Sequence, residues 1–193
     1  EAQKETEKAS TETPGPDFGS ARRGRSVLKM PPLAIHRFPD PILRRAAEPI
    51  LRIDSRTIGF INQLIETMRH QPGGIGIAAT QVGVSKRIAI VDVSKKVPGA
   101  ELLVLINPVI VSSSHHVTLR EGCMSLPDFT ANVTRASTIR IRWHDLRMEK
   151  HEKRASGFEA QCIQHEVDHL NGILFVDRVR SLMSDVFRRM KYR

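Results

Sequence analysis

Cysteine is scarce in this chain of 193 residues, which has only Cys123 and Cys162. So few thiols exclude a fold built on disulfides and favour a reduced setting in which a thiol is free for chemistry. Aromatic residues are also few, at 5%. The core must then be aliphatic, which suits a mixed helix and sheet protein. Long apolar runs are missing as well. The longest, "LLVLI" at 102–106, falls far short of the roughly 18 to 20 residues a membrane-crossing helix needs, so a soluble domain with no membrane contact is expected. Acid is short relative to base: 21 Asp and Glu face 30 Lys and Arg, a net charge of +9. The surplus is spread along most of the chain, as in many basic soluble proteins, but it concentrates at the end. There Arg178, Arg180, Arg188, Arg189, Lys191 and Arg193 face only Asp185, in a segment that can be helical. Such a segment can contact RNA electrostatically. No aromatic stacking platform or base-reading motif accompanies it, so sequence-specific nucleic-acid binding is not expected.

What is present falls into two parts. Residues 1–29 are polar, carry five acids and show no pattern that could bury a face, so a disordered extension is expected there. Those acids also argue against a plain organelle transit peptide. A single domain is expected over 30–193. It begins with a Pro-interrupted arm, "LAIHRFPDPILRRAAEPI". In "SRTIGFINQLIETMRH", Ile58, Ile61, Leu64, Ile65 and Met68 recur at helical spacing after Asp54 or Ser55, either of which can cap the start. "QPGG" ends that helix. Closely spaced glycines then precede "KRIAIVDV", and further β segments separated by turns are read in "ELLVLINPVIV", "HVTLREGCMSLPD" and "STIRIRWHDLR". The fold class is α+β: sheets packed around one strong helix, with a short helix at the C-terminus.

That strong helix lies in "QCIQHEVDHLNGILF", residues 161–175. Ala160, Ile163, Val167, Leu170 and Leu174 form its apolar stripe, and His165 and His169 stand one turn apart on another face. Two imidazoles so placed can point at one ion, with Glu166 beside them to address a water. A His-Glu-x-x-His match arises by chance in a chain like this on the order of one per cent of the time. A third ligand is therefore required. The metzincin position for it is Phe175, and no Glu follows Glu166, which opposes the peptidase families that use one. Asp177 and Asp185 are weak options, whereas upstream Cys123, in "EGCMSLP", can complete a set of one thiolate and two imidazoles.

Three motifs, "GIGIAATQ" at 74–81, "EGCMS" at 121–125 and "QHEVDH" at 164–169, stand in the order found in peptide deformylases. The chain resembles that family from about Leu33 to about Val179. The resemblance implies a peptide deformylase-like fold and hydrolysis of the N-formyl group from the initiator methionine of new polypeptides, which are the implied partners. It implies one divalent ion held by Cys123, His165 and His169, ferrous iron by family preference, with zinc or other divalent ions as substitutes. By the same resemblance Glu166 is general base and acid, and the Gln81 amide and Met124 backbone N–H stabilise the oxyanion. Gly74, Ile75, Gly76 and Gly122 would hold the substrate backbone, and Leu119, Phe158 and Cys162 would line the methionine pocket. Glu121 would buttress the site with Arg135 as its partner. His115 and His116, in "SSSHHVT", are expected at an exposed strand end or loop.

The chain departs from the family at Met124, where Leu is usual, and at Gln161, where an apolar residue commonly walls the pocket. The first matters little because the backbone donates, while the second bears on side-chain preference. Two other readings, an internal peptidase and a binding module acting through the basic end, are opposed by the missing late ligand and by the intact Glu166. A basic C-terminal segment that docks on ribosomal RNA while the domain deformylates would reconcile the last with the enzyme. The compartments that supply formylated chains are the bacterial cytoplasm or, in a eukaryote, the mitochondrial or plastid matrix.

Overall fold

The computed structural model describes residues 31–190, so the expected disorder of 1–29 falls outside the described residues, as do Lys191 and Arg193. The arm runs over the core surface without regular structure except for one 3₁₀ turn, Pro41–Arg44, capped by the Asp40 side chain. Helix α1, Ser55–His70, is capped by Asp54, whose carboxylate accepts from the Thr57 N–H. That bond satisfies one of the amides a helix start leaves open. The face bearing Ile61, Leu64 and Met68 is buried and packs with Ile77, Ile88, Ile90 and Ile106 in one aliphatic cluster.

Six strands follow: β1 Gly76–Ala78, β2 Ile88–Val91, β3 Leu103–Cys123, β4 Leu126–His144, β5 Lys150–Ser156 and β6 Val186–Arg188. Strands β1 to β5 pair with their neighbours in chain order, and β6 adds to β4; every pairing is antiparallel. Helix α2, Gly157–Leu170, carries the His-Glu-x-x-His motif and packs on β1, β2, β4 and β5.

The architecture is the expected α+β, with three local corrections. The β segments expected on either side of "SSSHH" are one strand: β3 runs unbroken from Leu103 to Cys123, bending at register shifts rather than turning. Its middle is exposed on both faces, so serines and histidines fit a ladder as well as a loop there, and His115 and His116 are exposed within it. The basic end is not one helix. Its helical part, α3, is the single turn Leu182–Asp185, after which Val186–Arg188 pair with Phe129–Ala131, since β-branched and aromatic residues fit an open strand edge. Finally, α2 is not a one-faced helix, because Cys162, Glu166 and His169 are buried along with its apolar stripe, and His165 is partly buried. It ends at Leu170, and Leu174 reaches the core from the following turn.

Leu64 is fully buried at the centre of the α1 cluster. Leu64→Ala is expected to cost about 2–5 kcal/mol, read as a lower urea midpoint. A shift under about 0.5 kcal/mol, the level of an ordinary surface change, would contradict this packing.

Candidate metal centre and cleft

The site forms where the β3–β4 hairpin turns against α2. Cys123 ends β3 and Leu126 begins β4, so the tight turn at Met124 and Ser125 holds the thiol against the helix. Helical spacing brings His165 and His169 to the same point, their ring centroids 5.0 Å apart. The ligand atoms of Cys123, His165 and His169 lie within 4.8 Å of one another, and the Cys123 Sγ is 3.1 Å from His169 Nε2. One thiolate and two imidazoles are a donor set for a divalent transition metal. The buried His169 Nδ1 has no hydrogen-bond partner among the described residues.

The electrostatics agree with that donor set. Burial raises the Cys123 thiol, but the adjacent His169 and His165 outweigh it and hold the group well below its usual range. Its sulfur also accepts from the Ser125 N–H at 3.4 Å and from Gln81 Nε2 at 3.5 Å. Gln81 is oriented by its other end, since Oε1 accepts from the Ala78 N–H at 2.9 Å. A backbone N–H can only donate, so the amide nitrogen must face the sulfur.

His165 is held from behind. Its Nδ1 meets Glu121 Oε2 at 2.9 Å, and Arg135 grips Glu121 through Nε at 2.5 Å and Nη2 at 3.0 Å. Burial alone would raise the Glu121 carboxyl, yet His165 and Arg135 bring it down to about 2. The sequence reading reached this pair but missed its continuation. Arg135 Nη1 donates to Asp168 at 2.8 Å, and Arg178 donates to both oxygens of Asp168. Asp168 stands inside the helix motif, but its partners are 33 and 10 residues away, and no local pattern announces them. Ser125, whose Oγ accepts from Gln81 Nε2 at 3.2 Å, was missed for the same reason.

Glu166 is buried and one of its oxygens, Oε2, has no partner. Burial pushes its carboxyl up to about 7. The other oxygen lies so close to Gly76 that any Cβ there would collide with it, and a Cβ on Gly74 would strike the Met68 carbonyl. Close backbone approach therefore requires glycine at position 74, while a side chain at position 76 would displace the Glu166 carboxylate.

Cys123, His165, Glu166, Gln81, Glu121, Gly74 and Gly76 line a cleft of about 230 Å³ together with Gly73, Ile75, Lys96, Arg120, Gly122, Met124, Phe158, Gln161 and Cys162. Of the site residues singled out in the sequence, all but three line it. His169 is buried beside Cys123 without lining the cleft. Arg135 stands behind the cleft. Leu119 does not line it and is 39% exposed; the part of β3 at the cleft begins one residue later, at Arg120. Gln161 turns its amide to Glu121 Oε1 at 3.2 Å.

The polypeptide deformylase family model matches residues 32–185. The chain belongs to that family. Peptide deformylase from Halothermothrix orenii is 44% identical over 150 residues, which span 78% of this chain and 95% of the relative. That of Rhizobium meliloti is 40% identical over 163 residues, spanning 84% and 92%. Among solved structures, a peptide deformylase from Synechococcus elongatus in complex with actinonin superposes with a TM-score of 0.75 at 39% identity, covering 81% of this chain and 85% of that one. One from Legionella pneumophila gives 0.73 at 36%, covering 79% and 88%. The deformylases are metalloenzymes, and the Cys-His-His cluster of this member is its candidate metal site.

Carboxylates behind a ligating histidine fix its ring and raise its basicity. Glu121→Gln is therefore expected to weaken divalent-ion affinity about 10- to 100-fold, measured by competition with a chelator. Unchanged affinity in a folded variant would show that Glu121 does not orient His165.

Proposed function

We infer that residues 30–193 catalyse hydrolysis of the formamide bond of N-formylmethionyl nascent peptides, releasing formate and a free amino terminus. The observation that carries this reading is the Glu166 carboxylate, buried with one oxygen unpartnered beside a cluster of one thiol and two imidazoles. A purely structural metal site has no use for such a group.

Cys123, His165 and His169 are assigned as the ligands of one divalent ion. When bound, the ion supplies Lewis-acid polarisation and lowers the pKa of water. Glu166 takes the proton of the attacking water and passes it to the leaving amine, so that water and formamide become formate and amine. The Gln81 amide, held with its nitrogen toward the site, and the Met124 backbone N–H donate to the oxygen on which negative charge develops. Gly74, Ile75, Gly76 and Gly122 offer backbone to the substrate as to an added strand. Phe158 and Cys162 wall the pocket for the methionine side chain, and Glu121 with Arg135 keeps His165 in place.

For the resident ion we propose ferrous iron, with zinc or another divalent metal as a substitute, a donor set of Cys and His being suited to either. The bacterial cytoplasm, or an organelle matrix in a eukaryote, is the setting that fits a formylated substrate. No helix among the described residues is long and apolar enough to cross a membrane.

Formate release from a formyl-Met peptide by protein purified without oxygen tests the reading. Wild type should turn over, while Glu166→Gln, with metal retained, should lose at least about 100-fold, the lower range for a proton-transfer group. Activity within a few-fold of wild type in that variant would remove Glu166 from the mechanism.

We also propose that the basic C-terminal segment touches ribosomal RNA. Arg178 is already engaged by Asp168, which leaves Arg180, Arg188 and Arg189, all exposed, as the contacts among the described residues. Arg180→Gln with Arg188→Gln should reduce cosedimentation with ribosomes at low salt. Undiminished pelleting would remove the segment from that role.

A further inference from the structure

The chemistry described so far uses the floor of the cleft and leaves its rim unexplained. Lys96 and Arg120 line the cleft and both are exposed. Lys96 Nζ stands 4.8 Å from the centre of the Phe158 ring, and the Arg120 guanidinium lies 3.6 Å over that of Phe187. A third cation, Arg189, joins them from just beyond β6. The Arg189 side chain lies so close to Gly122 that a Cβ there would collide with it, and the Arg189 N–H donates to the Asp128 carbonyl at 2.7 Å.

Strand register explains why two of these cations gather at one place. Gly122 pairs with Thr130, which pairs in turn with Phe187. Alternate residues share a face, so Arg120 and Gly122 of β3, Thr130 of β4, Phe187 of β6 and Arg189 just after it stand together on one exposed side. Glu121, between Arg120 and Gly122, turns inward. The carboxylates in the lining, Glu121 and Glu166, are both buried at the floor. Among the described residues, none of the ion pairs includes Lys96, Arg120 or Arg189. Among the described residues the rim is therefore cationic with no charge partner, and contact with the Phe158 and Phe187 rings holds two of its members in place.

We propose that Lys96, Arg120 and Arg189 form a cationic collar that selects for acidic residues just downstream of the formyl-methionine in the substrate chain. This rests on the deformylase reading and adds a specificity to it. A peptide whose methionine enters the cleft must leave across the rim. Beyond Ile106, β3 has no strand on the side away from β4 among the described residues, so the departing chain can lie along that edge and pass Arg120. Aspartate or glutamate at the third and fourth positions would then meet the collar, while lysine or arginine would be repelled by it. RNA is the less favoured occupant because two of the cations line the substrate cleft itself.

The test compares kcat/KM for formyl-Met-Ala-Asp-Asp, formyl-Met-Ala-Ser-Ser and formyl-Met-Ala-Lys-Lys with metal-loaded protein at low and high salt. Each charge should change the rate about two- to five-fold at low salt, the range of an exposed ion pair. The order should be acidic, neutral, basic, and it should flatten at high salt as screening shortens the reach of charge. In the triple variant Lys96→Gln, Arg120→Gln, Arg189→Gln the acidic-to-basic ratio should fall toward one, whatever its rate on the neutral peptide. NMR titration of metal-free protein with the products Met-Ala-Asp-Asp and Met-Ala-Lys-Lys should give the same ranking without turnover. No formate from the neutral peptide would count against the deformylase reading itself. Turnover of all three peptides at equal rates would overturn the collar alone, and so would equal rates together with loss of single-stranded RNA binding in the triple variant.

Discussion

The Glu121 carboxylate, buried and shared between His165 and Arg135, is the contact on which the site depends. A carboxylate without partners would be costly at that depth. Here Arg135 neutralises it by donating to both oxygens, and Oε2 is shared with the His165 imidazole. Arg135 is in turn satisfied by Asp168, and Asp168 by Arg178. The chain of alternating charge ties β3, β4, α2 and the segment after α2 into one unit. Removing one member of such a buried set leaves its neighbour uncompensated, which costs more than the intact pair contributes.

From that anchor the remaining geometry follows. The hairpin that carries Glu121 also ends in Cys123, so one turn delivers both the thiol and the group that steadies its neighbouring histidine. The helix that carries His165 and His169 places Glu166 between them in sequence, and the bare backbone of Gly76 leaves room for its carboxylate. Gln81, tied at its oxygen to the Ala78 N–H, brings a neutral donor from the 3₁₀ turn Ala79–Val82 that follows β1. Three separate parts of the chain thus converge on a small cleft, each fixed by a hydrogen bond that does not involve the reacting groups.

Much of this was legible in the sequence, for identifiable reasons. The two principal helices announced themselves by apolar spacing, by Asp54 as a cap and by the spacing of the histidines. The three motifs named the cleft residues because each holds several of them in consecutive positions. What was not legible depended on distance or on direction. The Arg135–Asp168–Arg178 bridge links positions with no common local pattern. "SSSHH" looked like an interruption because its polarity reports exposure, which a strand clear of the core shares with a loop. Leu119 lies one position short of the run from Arg120 to Met124 that lines the cleft, and nothing local marks where that run begins. The pairing of Val186–Arg188 with β4 could not be seen until the edge of β4 was known to be open.

The central claim is that Cys123, His165 and His169 hold one ion together. X-ray absorption spectroscopy on the metal-loaded protein tests it most directly, because sulfur and nitrogen neighbours scatter differently. The account predicts one sulfur and two imidazole nitrogens around each metal, with the sulfur contribution lost in Cys123→Ser. A first shell of nitrogen and oxygen alone in the wild-type protein would contradict it.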